Sequence, residues 1–517
     1  MAFTISQKIG KYTYAYKVES YWDKDKKQPR QRRIFLGRKD NLTGEIVDTK
    51  NPKKSKPVQS YDFGSTYFCK NIISKLGLDK ILKKWVSDKK ENIETLIQYL
   101  VSDGGAYYLA EQWAEGNYVE ISPKNISSQR ISELLEKLGQ ETETRMNFFK
   151  EWVKKQEEIE AVYFDITSLS TYSKLIDIAE WGYNRDKEKL RQINVGIVYG
   201  NSTEFPLFYN IYQGSIPDVT TFENIKKYCY EFGIKKIIYV VDRGFYSKDN
   251  IKSLTSEKIV IPLSFSTNKS IELLARADSK LQDKENLFMY KDSIYSYSSE
   301  TYTEYEKEFK AHIFRNKEMY DEGVTSFYKQ LITIEKKCNN KNYSVREDLE
   351  KDCSENFSDY MKFYEIEKKN KKYLLKRNQK KIDAQIQRFG TYILITNEVN
   401  LSKEKTLDLY KRKEYVEKVF DTMKNEMDRD RLHVQSAERT EGSIFIIFLS
   451  LIITSYMDKM LRTSKELKNY TKNKIFYELK KLKVTRFANG LNIVNELSKK
   501  VKNIFKIFGI DIKKIDA

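Results

Sequence analysis

Between residues 161 and 264 the chain follows a pattern that few folds can satisfy. The apolar runs AVYFDITSL (161–169), QINVGIVYG (192–200) and PLFYNIYQG (206–214) read as three strands. A helix is predicted over 218–231 (DVTTFENIKKYCYE), then the strand KKIIYVVD (235–242), a helix from Ser247 and the strand KIVIPL (258–263). Continuous apolar runs, unlike strict alternation, mark strands covered on both faces. The order of three strands, helix, strand, helix, strand therefore predicts an α/β fold around a buried mixed sheet.

The rest of the chain is read around that core. Residues 1–60 alternate as strands and form a β-rich N-terminal segment. Residues 61–160 carry apolar residues at three- and four-residue spacing, the mark of amphipathic helices, and are assigned as a helical DNA-binding domain. The core's first part spans 161–264, and an insertion domain of tyrosine-rich alternation and charged segments spans 265–389. The second part, 390–460, opens with the strand TYILITN (391–397) and a helix predicted over 403–427. The apolar run SIFIIFLSLIITSYM (443–457) is shorter than the roughly 20 residues that cross a bilayer, so it reads as a buried core helix, with no membrane as partner. Residues 461–517 read as a basic helical C-terminal tail.

Charge narrows the partner. With 93 Lys+Arg against 74 Asp+Glu the net charge is +19, which suits a polyanion such as nucleic acid. Coding bias alone makes lysine-rich chains, but residues 461–517 concentrate 15 Lys+Arg against 5 Asp+Glu. Four cysteines without a CxxC pair argue against zinc fingers and disulfide frameworks, and two histidines exclude histidine-cluster catalysis. The first residues lack a signal-peptide pattern, so a cytoplasmic location is expected.

Two aspartates stand at strand ends: Asp165 after AVYF, and Asp242 after IIYVV, followed by Arg243. An aspartate there often only makes a turn or caps a helix. Two such carboxylates facing each other at the carboxyl edge of a buried sheet repel unless a cation lies between them. Hard oxygen ligands select Mg²⁺ or Mn²⁺. In the helix predicted at 403–427, Tyr410, Lys413, Glu417 and Lys424 share one face, beside an apolar stripe of Val416, Val419, Phe420, Met423 and Met427. Glu414 is turned one step toward solvent, and Glu426 lies on the far side of the stripe.

The string YKRKEYVEKVFDTMK resembles the Y–R–E–K signature of DDE insertion-sequence transposases: Tyr410, Lys413, Glu417 and Lys424 keep its spacing, with lysine at 413 where the family has arginine and Arg412 next to it. DRGFY (242–246) is similar to the family's second-aspartate motif, and FDITSL (164–169) to its first-aspartate strand. The resemblance implies a ribonuclease-H-like core with an insertion before the glutamate. It implies Asp165, Asp242 and Glu417 as catalytic residues and ligands of two Mg²⁺ ions, which Mn²⁺ replaces. Tyr410, Lys413, Lys424, Arg412 and Arg243 are the implied DNA contacts. The implied partners are double-stranded DNA, as terminal inverted repeats and target, and a homodimer or higher synaptic oligomer. A nuclease or resolvase without strand transfer shares every carboxylate, and an inactive DNA-binding descendant is opposed by the intact triad. A tyrosine recombinase lacks its Arg/His cluster here.

Overall fold

A computed structural model describes residues 2–10, 12–23, 28–39, 46–47, 57–156, 159–182, 188–216, 218–254, 257–341, 343–428, 430–488 and 491–512. At the N-terminus β1 (Ala2–Ile9), β2 (Tyr12–Asp23), β3 (Gln28–Lys39) and β4 (Ile46–Val47) form an antiparallel sheet in that order. A further strand, β5 (Pro57–Asp62), leads into the helical stretch that runs from Gly64–Leu76 to Thr142–Lys154.

The predicted core strands are β6 (Ala161–Thr171), β7 (Arg191–Gly200), β8 (Pro206–Gln213), β9 (Ile238–Val240) and β10 (Lys258–Pro262). β6 and β9, and β9 and β10, pair in parallel, whereas β7 runs antiparallel between β6 and β8. All eleven residues of β6 are buried, as its apolar sequence requires.

Residues of the expected insertion widen this sheet. β11 (Leu287–Tyr290), β12 (Ser293–Glu304) and β13 (Lys307–Asn316) extend it, while β14 (Tyr364–Lys369) and β15 (Lys372–Arg377) form a separate hairpin. With β16 (Thr391–Thr396) the nine strands lie in the order β11-β12-β13-β16-β10-β9-β6-β7-β8. Residues 317–389 build a second, smaller apolar core around Phe327, Leu331 and Ile382.

The apolar run 443–457 lies inside helix Ala437–Thr463, capped by Ser436, whose Oγ accepts from the Arg439 amide. This helix is long and apolar enough to span a bilayer, but 83% of its apolar window is buried in the protein. It packs on helices Lys90–Ser102 and Ser128–Gln140 on one side and on β8 on the other. Two glycines permit the closest approach. A Cβ at Gly442 would stand 2.0 Å from the Leu135 carbonyl oxygen, and one at Gly139 would stand 1.8 Å from that of Glu438.

The C-terminal residues differ from the helical tail the sequence suggested. β17 (Lys483–Phe487) pairs with β5, and β18 (Asn492–Val494) pairs with β17. Leu467, Ile475, Phe476, Ile504 and Phe508 join the main core, so their apolar side chains tie this segment down.

Candidate active site

Asp165 is not the end of its strand: β6 continues six residues further, because its Ser and Thr side chains find partners, as where the Ser168 hydroxyl donates to Asn194 Oδ1 at 3.0 Å. Its parallel pairing with β9 stops earlier, at Tyr163 opposite Val240. Asp165 therefore stands just past the carboxyl edge of that pairing, where an open α/β sheet holds its ligands. Its Oδ1 accepts from the Ile166 amide at 2.9 Å, and the residue is 4% exposed.

Asp242 follows β9 and caps the short turn Arg243–Phe245, its Oδ1 accepting from the Arg243 amide at 2.8 Å. Under it, Phe245 is buried against Phe164 at 5.3 Å between ring centres, which ties the turn to β6. Tyr246, the last residue of DRGFY, donates its hydroxyl to Glu304 on β12.

The helix predicted over 403–427 is interrupted. Helix Lys403–Lys411 ends in a tight turn in which the amides of Lys413, Tyr415 and Val416 bond three residues back. Helix Glu414–Asp421 follows, then a wider turn over Thr422–Glu426 closed by the Met427 amide on the Thr422 carbonyl. The apolar stripe is buried as expected, Val416 at 0% and Met423 at 1% exposure.

The tight turn drives Lys413 under the sheet edge. Its Nζ lies 3.0 Å from Glu417 Oε1, 3.7 Å from Asp165 Oδ2 and 4.0 Å from Asp242 Oδ1. All three carboxylates singled out in the sequence thus face one buried cation. Burial disfavours the charge on Lys413, yet Asp165, Asp242 and Glu417 together hold its ammonium above the ordinary lysine range. Among the described residues no three His, Cys, Asp or Glu side chains are grouped to hold a metal as they stand. The donor set nevertheless fits a hard divalent ion, because it is all carboxylate oxygen converging on a position of positive charge.

A cleft of about 510 Å³ opens beside this cluster, lined by Asp242, Arg243, Tyr410, Lys413, Glu414 and Glu417. Tyr410 rests on Tyr392 at 5.7 Å, and burial pushes its hydroxyl up. Lys411 also lines the cleft, 4.3 Å over the Tyr392 ring; nothing in its spacing marked it. Two expected DNA contacts lie elsewhere. Arg412 turns to Asp408 at 2.9 Å and Glu204 at 4.0 Å. Lys424 sits on the wide turn and acts electrostatically on Glu188, because the extra residue per turn rotates it from the Tyr410–Glu417 face. Glu426 pairs with Lys472, away from the cleft.

Two sheet aspartates and a helical glutamate thus gather around a single lysine charge. The family profile described as "Transposase DDE domain" matches residues 157–453, more than half of the chain, and the chain belongs to that family. The solved structures similar to it include a cryo-EM structure of a piggyBac transposase synaptic complex with hairpin DNA. The identity there is 9% over 75% of this chain and 69% of that one, with a TM-score of 0.36. No curated protein matches the chain. Transposases of the DDE type act on DNA strands and in general use divalent metal ions.

Proposed function

We propose that this chain is a cut-and-paste DNA transposase that binds the terminal inverted repeats of an insertion sequence, cleaves there and joins the freed ends to target DNA. The observation that carries this is the convergence of Asp165, Asp242 and Glu417 on Lys413 Nζ. The strand order β8-β7-β6-β9-β10, with only β7 reversed, supports a ribonuclease-H-like reading of the core.

In this reading Asp165, fixed by burial, Asp242, fixed by its turn, and the exposed Glu417 would hold the metal ions. Two Mg²⁺ ions, or Mn²⁺, supply an activated attacking oxygen and neutralise the leaving 3′-oxygen when bound. Lys413 leaves the carboxylates and turns its ammonium to a backbone phosphate, which Tyr410 and Arg243 hold from the cleft walls. Arg412 and Lys424 reach only flanking phosphates from their positions. Phosphate contacts position the DNA without reading its sequence. The protein works in the cytoplasm as a homodimer or higher synaptic oligomer.

The test is cleavage of a labelled duplex carrying the element's end, in Mg²⁺. Glu417→Gln is expected to abolish cleavage and strand transfer with end binding nearly unchanged, because it removes one ligand charge and keeps size. Glu414→Gln, at an exposed helical position, is expected to cost only a few tenths of a kcal/mol. Cleavage by the Glu417 variant, or efficient cleavage in chelator, overturns the reading. Cleavage without joining assigns a nuclease instead.

A further inference from the structure

The net charge of the chain sits at its two ends. Residues 1–60 hold 15 Lys+Arg against 6 Asp+Glu, and residues 461–517 hold 15 against 5, while residues 61–460 balance at 63 against 63. The stretch that bears the three carboxylates thus contributes no net attraction for a polyanion. Coding bias does not explain a neutral middle between two basic ends.

On the N-terminal sheet Lys8, Lys17, Arg30, Arg32 and Lys39 share one face, and only Arg33 and Arg38 among the described basic residues lie on the other. Directly opposed residues share a face. The register Lys8↔Thr13↔Lys39 and Glu19↔Arg32 puts Lys8, Arg32 and Lys39 on one face, all three exposed. Glu19, the acid among them, is taken up by Lys17 at 2.7 Å. The opposite face holds the aromatic cluster, with Phe35 at 5.9 Å from Tyr14 and 5.5 Å from Tyr16. β1 accompanies β2 only as far as Glu19, so among the described residues Ser20–Asp23 and Gln28–Gln31 pair only with each other and continue the sheet as a two-stranded ribbon. A B-DNA major groove, about 12 Å wide, admits a two-stranded ribbon.

The second basic segment is tied to the first. β5, which follows the N-terminal sheet, pairs with β17 of the C-terminal segment, Gln59 opposite Arg486. Chain length alone keeps β4 within about 35 Å of β5.

Resting on the transposase reading, we propose that the basic face of the β1–β2–β3 sheet, with the ribbon that continues it, is a duplex-DNA contact separate from the carboxylate cleft, with Lys8, Arg32 and Lys39 on backbone phosphates. The experiment uses the full chain in chelator and measures binding of a labelled duplex from about 50 to about 300 mM salt. Lys8→Gln/Arg32→Gln/Lys39→Gln is expected to make the log–log salt slope shallower by about 2 to 3, at roughly 0.9 per phosphate released. Arg32→Glu alone is the second variant, expected to weaken binding at low salt with the circular-dichroism spectrum unchanged. An unchanged slope in the folded triple variant overturns the proposal, as does preference for single-stranded over duplex DNA, which would place the ligand on the aromatic face. A triple variant that loses slope beside a wild type that never cleaves in Mg²⁺ or Mn²⁺ overturns the transposase reading and leaves the contact on the sheet face standing.

Discussion

Lys413 holds together a site that would otherwise repel itself. Asp165 is buried, and removing the partner of a buried charge costs several kcal/mol because the charge remains without its counter-ion. Lys413→Met should therefore destabilise the metal-free protein by about 3 kcal/mol. Mn²⁺ should restore more stability to this variant than to wild type, since a divalent ion then meets no competing ammonium. Thermal unfolding with and without Mn²⁺ checks both. A second residue makes stability depend on pH. His312 on β13 is 0% exposed, and burial pushes its imidazole down to about 4. The unfolded chain protonates near 6.5, so the contribution of neutral His312 is complete above that pH and fades as the pH falls toward 4. Wild type should lose up to about 3 kcal/mol more than His312→Gln across that window. Urea unfolding at pH 7 and pH 4.5 reads the difference.

At the scale of elements, the crossing of helices Ala437–Thr463 and Ser128–Gln140 depends on its two glycines. A methyl group at position 442 meets backbone atoms that have no rotamer to give, so Gly442→Ala should cost about 1–3 kcal/mol by overpacking, despite the better helix propensity of alanine. Denaturant midpoints measure it. The same helix shows what a sequence reveals well: a fifteen-residue run with eleven apolar side chains and no charge has few places to go but a core. β6, β9 and β10 were legible for the same reason. β12 was not, because SIYSYSSETYTE alternates as a half-exposed strand does anywhere, and no local signal says that it joins the central sheet. Asp165, Asp242 and Glu417 were singled out from the apolar runs before the aspartates and from the spacing around Glu417, although β6 runs on past Asp165 and the helix is broken. The tight turn at 412–413 and the wide turn at 422–426 could not be read, since no proline or glycine marks them and tertiary packing sets the phase. That is why Lys413 lies deeper, and Lys424 further away, than regular spacing implies.

For the whole molecule, the C-terminal segment is both structure and charge. Deleting residues 461–517 would strip Phe476, Ile504 and Phe508 from the main core, so truncation tests folding before it tests DNA. Neutralising the exposed Lys499, Lys502 and Lys506 to Gln separates the two. Stability should stay within about 0.5 kcal/mol. The salt slope of duplex binding should fall by up to about 0.9 per lysine if each meets a phosphate. Fluorescence anisotropy across a salt series, beside thermal unfolding, measures both quantities. The long helix also sets the order of events at the ribosome. Helices Lys90–Ser102 and Ser128–Gln140 emerge early, but the surface they pack on is encoded roughly 300 residues later. At about 5–20 residues per second, their apolar sides wait some 15–60 s for that partner. A nascent transposase therefore passes through a long adhesive phase, in which a chaperone, or a second unfinished copy on the same message, is the nearest substitute for its own missing helix.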